Sequence, residues 1–377
     1  MPPLLLTVLS FVLLAFEFQN LLSWWRGRVV SPGEDESRDF TIVIPIYGDP
    51  KYFAGRDGLV QYRDNVLVAL EVTPPKMQAF AEQLEAEGWH VHRIQMEKPN
   101  PALLLCEGLE QVTTTYALRL DADTILGDDL FRAMAAVEKS DADLCSVKVE
   151  VLNPRTVAEK IQALEYRMAM LGRHYRPWMT SGACLIGKTD ALRLVYAHHS
   201  LWTPGEDIET GRTAHALRMR IRHCDIVVLT EAPATFRALF HQRRLWWAGT
   251  FRHQIINVDR NLLHLPVMTT YSLVVLWFSL WSRWWEAFDL KHLIVVFPLM
   301  LIGYAAASAV SHLQVLSRWM LVYPIYSFLQ TLVMPVAGML MYVQIARRYG
   351  RLGRYHFGYR RRSLPWPAPT PARRPQG

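Results

Sequence analysis

The residue types that say most about chemistry lie in Leu120-Asp121-Ala122-Asp123-Thr124. Two carboxylates one residue apart, just past an apolar run, can turn to the same side of a loop. There they offer hard oxygen ligands to a divalent cation and leave positions for phosphate oxygens and water. A metal held this way would neutralise a diphosphate as it departs. The plainer alternative is a polar turn closed by Asx hydrogen bonds. The same spacing recurs at Asp141-Ala142-Asp143. That copy precedes an apolar run instead of following one, and it reads as a turn.

Thr203-Pro204-Gly205-Glu206-Asp207-Ile208-Glu209-Thr210 places carboxylates at a loop-to-helix junction. They serve there either as caps and helix-dipole partners or as a general base that takes a proton from an acceptor hydroxyl. By spacing alone Glu206 and Asp207 are equal candidates. A third segment, Phe240–Gly249, contains Gln242, Arg243, Arg244, Leu245 and Trp246. Arginine and amide donors suit phosphate oxygens, and indole suits a sugar or base face. An amphipathic helix lying in a membrane interface would use the same residues.

These groups need a scaffold, and the middle of the chain predicts one. Phe40–Ile46, Asn65–Glu71 and Tyr116–Leu120 are short runs rich in apolar residues, which predicts strands, and His90–Ile94 is read as a further strand between them. Leu144–Val151 predicts a further strand after the second Asp pair. Met77–Glu87 and Pro101–Val112 have helical spacing, the first closed by Gly88. Strand alternating with helix predicts an α/β layer with a parallel sheet. Ligands of such sheets collect at the carboxyl ends of the strands. Asp49, Glu71, Asp121 and Asp123 would all lie there.

Apolar residues make up 51% of the 377 and charged residues 20%, which excludes a largely disordered chain. Cys106, Cys145, Cys184 and Cys224 are far apart with no CxxC pair. That excludes a disulfide scaffold or a cysteine-rich zinc module and fits a reducing compartment. The net charge of +7 is uneven: nine arginines follow from Arg347, and without them the rest carries −2. A basic tail attracts nucleic acid or anionic lipid. Its place directly after an apolar segment favours lipid, and no nucleic acid is expected.

Leu4–Trp25 is long enough to cross a bilayer. Its basic residues, Arg26 and Arg28, follow the apolar run, unlike those of a signal peptide. Leu265–Leu280, His292–Val310 and Met320–Ile345 suggest three more segments, with Trp281, Trp284 and Trp285 as interfacial anchors. Three spans after a cytosolic domain would leave the arginine tail outside, against the positive-inside tendency. Met320–Ile345, interrupted by Pro324 and Pro335, is therefore expected to be broken or re-entrant. The expected organisation is an N-terminal transmembrane helix (1–26), a soluble α/β domain (39–235), an interfacial segment (236–262), about three transmembrane segments (265–346) and a basic tail (347–377).

Taken in order, IPIYGDP, LDADT, SGACLIGKTDALR (Ser181–Arg193), PGEDIETGRTAHALRMRIRHCD and TEAPATFRALFHQRRLWWAG resemble the inverting family 2 glycosyltransferases. The nearest subgroup is the membrane-embedded enzymes similar to cellulose and hyaluronan synthases. The resemblance covers about residues 40–260 and extends to the flanking spans. It implies a GT-A nucleotide-sugar fold, Mg²⁺ or Mn²⁺ as cofactor, a nucleotide-diphosphate sugar as donor and a glycan or lipid acceptor. It implies metal and nucleotide contacts at Asp121 and Asp123, with Asp123 the more direct ligand, and a general base at Asp207 with Glu206 beside it. Gln242, Arg243 and Trp246 fall on the family's Gln-Arg-x-Arg-Trp motif for diphosphate and acceptor.

Three positions depart from the family pattern. Leu245 stands where the motif has its second arginine, next to Arg244. Glu71 stands where an aspartate usually meets the nucleobase. Asn100-Pro101-Ala102 replaces a Gly-Lys-Ala segment. The resemblance implies an integral plasma-membrane protein with a cytosolic catalytic domain, making a polysaccharide or a glycolipid. The departures support an alternative, a degenerate transferase kept as a membrane scaffold.

Overall fold

The computed structural model describes residues 29–256 apart from 54, 97–99 and 175, and residues 294–348 apart from 295–297, 299–300, 304, 307 and 311. The expected N-terminal helix (1–26), the segment Leu265–Leu280 with its tryptophan cluster, and the tail beyond Arg348 lie outside the described residues. The chain divides into two compact units. The described part of one falls within 29–150 and 176–231, and that of the other within 151–174, 232–256 and 294–348.

The first unit is a mixed sheet with helices. Its strands are β1 (Val29–Val30), β2 (Phe40–Ile46), β3 (Val66–Glu71), β4 (His90–Ile94), β5 (Tyr116–Leu120), β6 (Ile125–Leu126), β7 (Leu144–Val151), β8 (Cys184–Lys188) and β9 (Ile221–Thr230). They lie in the order β1-β9-β7-β8-β5-β2-β3-β4, and β6 pairs with β9. The helices are α1 (Pro75–Ala86), α2 (Pro101–Glu110), α3 (Leu130–Ser140), α5 (Thr189–Ala197) and α6 (Glu206–Ala216), with α4 belonging to the second unit. Six of the seven residues of β2 are fully buried, as a strand covered on both faces requires. Proline opens α1 and α2, where its missing N–H forfeits no bond. Asn100 caps α2 by accepting the Leu103 N–H at 3.1 Å. Val43, Ala69, Leu104, Leu105, Ala117, Leu185 and Leu192 meet in the core between sheet and helices.

The sheet departs from the expected parallel arrangement on one side. β2, β3, β4 and β5 are parallel, but β8 runs antiparallel to both β5 and β7. Cys184 therefore pairs with Leu120, and the loop leading into β8 lies beside the residues leaving β5. The Asp121 N–H donates to the Ala183 carbonyl at 3.0 Å. This reversal brings Ser181–Ala183 to the functional edge.

The second unit contains α4 (Val157–Arg173), α7 (Phe236–Ile256) and α8 (Tyr323–Arg348). α4 opens with a capping box between Thr156 and Glu159. Leu164 and Met168 pack against Met320. The segment read as interfacial is helical from Phe236 to Ile256, and its last six residues, 257–262, lie outside the described residues. Of Met320–Ile345, expected to be broken or re-entrant, the part from Tyr323 onward is unbroken and belongs to one helix that runs to Arg348. Pro324 sits in the first turn, where no helical bond is lost, and Pro335 interrupts the ladder without ending it. Ile325, Leu329, Val333, Val336 and Leu340 of α8 are exposed. Among the described residues, no helix is long and apolar enough to cross a membrane.

Candidate active site

The carboxyl ends of β2, β3 and β5, the loop entering β8 and the N-terminus of α6 supply the candidate residues of the first unit. Asp121 follows β5 directly, and Glu206 and Asp207 occupy the first turn of α6. Gly205 precedes them at φ +96°, a backbone conformation that costs glycine little.

Arg119, next to last in the buried strand β5, joins two of these elements. Its side chain is only 4% exposed, and its Nη2 lies 2.9 Å from Glu206 Oε1 and 3.3 Å from Asp121 Oδ1. The adjacent carboxylates hold its pKa well above the ordinary arginine value against the cost of burial. Asp207 points elsewhere. Its Oδ2 accepts the Gly182 N–H at 3.1 Å and its Oδ1 accepts the Ile208 N–H at 2.8 Å. Thr180 Oγ1 donates to the Asp207 carbonyl at 2.6 Å. Each carboxylate oxygen of Asp207 keeps a further lone pair. Desolvation, then the charge of Glu206, raises the Asp207 pKa, which makes it a stronger base than an ordinary aspartate.

Desolvation pushes Asp121 up to about 7; Glu206 and Asp123 add to the shift and Arg119 opposes it. Asp123 is exposed, and it too is raised, first by desolvation and then by Glu231. Tyr47, just past β2, is raised by desolvation and then by the charges of Glu206 and Asp121. Gly182 lies among these residues. A Cβ there would sit 3.3 Å from Asp121 Oδ2 and 3.4 Å from Arg119 Nη2.

Two side chains hold the start of α6. His199 donates through Nε2 to the Glu206 carbonyl at 2.9 Å, while its Nδ1 accepts the Leu201 N–H at 2.9 Å, which fixes the neutral tautomer. Glu209 is buried and accepts from the Ser200 backbone N–H at 2.8 Å and from Ser200 Oγ at 2.5 Å. The carbonyl oxygen of Trp178 lies against Gly211, only 1.9 Å from where a Cβ would be.

The donor chemistry of Asp121 and Asp123 fits a divalent cation. Both are hard oxygen ligands whose charged forms lack full compensation, and a cation would supply it. Among the described residues, no group of three or more His, Cys, Asp or Glu side chains forms a metal site by itself. Phosphate and water oxygens would have to complete the shell. Glu71, expected near a nucleobase, lies at the carboxyl end of β3. It is 1% exposed, with no hydrogen-bond partner at Oε2.

The Asp141–Asp143 pair is a turn, as its sequence position suggested. Asp141 ends α3 at φ 52°. Lys188 and Arg220 pair with both carboxylates.

The remaining candidates are in the second unit. Arg243, expected to grip diphosphate, is buried and ion-paired with Glu165 of α4. Its guanidinium also lies 4.2 Å from the Trp246 ring centroid. Burial leaves such a group no alternative to an internal partner. Trp246 is 40% exposed and stacks on Tyr166 at 6.3 Å. Gln242 is bonded to Gln162 at 3.1 Å, while Arg244 is half-buried and Leu245 exposed.

Sequence reasoning missed Arg119, Tyr47, Gly182 and His199. For Arg119 a signal was present: a charge inside an apolar strand, two residues before Asp121, asks for a buried counter-ion.

The family profile described as "Glycosyl transferase family group 2" matches residues 117–345, more than half the chain. No curated protein matches. The solved structures similar to this chain include three at low identity. One is a mannosyltransferase from Pyrobaculum calidifontis in complex with GDP-Man and Mn²⁺, at 14% identity and TM-score 0.49, covering 86% of this chain and 98% of that chain. Another is TarS residues 1–349 from S. aureus, at 13% identity and TM-score 0.41, covering 83% of this chain and 92% of that chain. The third is glucosyl-3-phosphoglycerate synthase from Mycobacterium tuberculosis, at 14% identity and TM-score 0.37, covering 56% of this chain and 77% of that chain.

Proposed function

Because this chain belongs to glycosyl transferase family group 2, we propose that it is an inverting hexosyltransferase that uses a nucleotide-diphosphate sugar and a hydroxyl acceptor. The observation that carries the proposal is the division of labour at the start of α6. Glu206 is ion-paired with Arg119, whereas the Asp207 carboxylate accepts backbone N–H groups and has a raised pKa. Asp207 takes the acceptor proton. The acceptor oxygen attacks the anomeric carbon from the face opposite the leaving diphosphate, so configuration inverts. Asp121 and Asp123 would hold Mg²⁺ or Mn²⁺, which supplies positive charge to the departing diphosphate. Glu71 is assigned to the nucleobase and Gln242 and Trp246 to the acceptor, with Arg243, 4.2 Å from the Trp246 ring centroid, holding that ring in place. Arg244 is left for phosphate or lipid headgroups.

The reaction is proposed to occur at the cytosolic face of the plasma membrane, in polysaccharide or glycolipid synthesis. The exposed apolar residues of α8 and the arginine tail support that location. The departures at Leu245 and at Asn100-Pro101-Ala102, with the pairing of buried Arg243 to Glu165, favour the second reading, a non-catalytic membrane scaffold. The two are separated by supplying the full-length purified protein with a panel of UDP- and GDP-sugars and Mn²⁺, measuring nucleoside diphosphate release and sizing the products. Release that depends on Asp207 is expected. Equal, background-level release by wild type and Asp207→Asn would leave only the scaffold.

A further inference from the structure

Arg119 places a fixed positive charge where a second cation is expected. Its Nη2 is hydrogen-bonded to Asp121 Oδ1 at 3.3 Å and to Glu206 Oε1 at 2.9 Å. The side chain is 4% exposed, and a Cβ at Gly182 would lie 3.4 Å from its Nη2.

Resting on the reading that Asp121 and Asp123 hold a divalent ion, we infer that Arg119 makes that ion's binding depend on the nucleotide. The guanidinium occupies an oxygen the ion would use and adds like charge beside it, so the carboxylate pair alone is a weak site. A nucleoside diphosphate brings negative oxygens that offset both cations, and the ion is then held firmly. Arg119 is thus a positioning residue for ordered loading. Free metal does not fill the pocket ahead of the donor, and release of the diphosphate loosens the metal with it. Linkage requires the reciprocal effect: the ion tightens the nucleotide by the same factor. Glu206 sets the balance. Its carboxylate draws the guanidinium away from Asp121, and removing it leaves Arg119 to Asp121 alone.

Mn²⁺ titration of the full-length protein, followed by electron paramagnetic resonance with and without GDP or UDP, tests this independently of sugar transfer. Wild type should bind Mn²⁺ at least about 10-fold more tightly with a nucleoside diphosphate present, a ratio within the usual range of coupled sites. Arg119→Met should tighten Mn²⁺ alone by about 10-fold and shrink the ratio, while Arg119→Lys, which keeps the charge, should stay near wild type. Glu206→Gln should weaken Mn²⁺ alone and enlarge the ratio. This second variant keeps the proposal falsifiable if Arg119→Met does not fold. The proposal is overturned if folded Arg119→Met binds Mn²⁺ alone no better than wild type, if Glu206→Gln leaves the ratio unchanged, or if wild type binds equally well without nucleotide. If no form binds Mn²⁺ even with nucleotide, the metal assignment falls instead and the proposal with it.

Discussion

Asp121-Ala122-Asp123 and Asp141-Ala142-Asp143 have the same spelling and opposite electrostatics. The first follows a strand and shares its surroundings with Glu206 and Asp207, against the single guanidinium of Arg119. The second precedes a strand, where its two carboxylates meet two cations, Lys188 and Arg220. Asp121 is accordingly pushed up to about 7, while hydrogen bonds from Arg220 and Lys188 hold Asp141 down at about 2. Charge that the protein balances itself is architecture. Charge left uncompensated in a cleft marks where something else binds.

The largest expected effect breaks or upholds this contrast directly. Asp123→Ala should lower metal-dependent turnover by about 10³-fold, the scale of losing transition-state charge stabilisation. Asp143→Ala should leave turnover within about 2-fold, since a turn carboxylate contributes only to folding. Equal losses in a donor-turnover assay would mean that spelling, not surroundings, decides.

Arg243 extends the contrast to a buried ion pair. Arg243→Ala should destabilise the protein by about 3–5 kcal/mol by stranding Glu165, whereas Arg244→Ala should cost less than about 1 kcal/mol. Chemical denaturation checks both values. A silent Arg243→Ala that specifically raises donor KM would return Arg243 to the diphosphate.

Next in size is the base. Asp207→Asn should keep nucleotide binding and lose about 10²-fold in kcat, and Glu206→Gln should lose less. Since the Asp207 pKa is raised, the acid limb of the rate profile should lie above the ordinary carboxylate range, with activity falling as pH drops through it. Reversed severity of the two variants would move the base to Glu206.

Stability reads the same contrast with the sign exchanged. The folded pKa of Asp121 is raised, so its contribution is fully present below its unfolded value near 3.8 and is lost as pH rises through about 7. Asp121→Asn should therefore raise Tm at pH 8 by roughly 2–4 °C, with the gain shrinking toward pH 4. Partial exposure of Asp121 keeps this effect modest. The smallest effect belongs to Asp141, whose folded pKa is lowered. Its contribution is present above pH 3.8 and disappears as pH falls through about 2. Asp141→Asn should cost under about 1 kcal/mol at neutral pH, and less in high salt, because the pair is exposed. Thermal melts across pH test both signs.

The α/β core was legible because burial imposes a simple pattern. Phe40–Ile46, His90–Ile94, Tyr116–Leu120 and Leu144–Val151 are strands with the expected ends, each bounded by residues that leave the extended conformation. The two Asp pairs could be told apart by which side of a strand they occupy. The reversal of β8 was not legible, because strand direction depends on the path of the intervening chain. Nor was the Arg243–Glu165 pair, whose partners are 78 residues apart. The continuous α8 was misread because two prolines were weighed equally, although only the interior one disturbs a helix. Local composition reveals a group that needs a partner, but only the fold shows whether one is supplied.

As a constraint on sequence drift, Gly211 is unusually strict. Alanine would ordinarily be the better helix former by about 1 kcal/mol, yet any Cβ at this place in α6 would meet the Trp178 carbonyl oxygen at 1.9 Å. The change that local propensity favours would push aside the helix whose first turn carries Glu206 and Asp207. A gene copy with that one substitution would encode a chain with sound secondary structure and a displaced base. It would be recognisable in a genetic screen as an allele that is abundant but inactive.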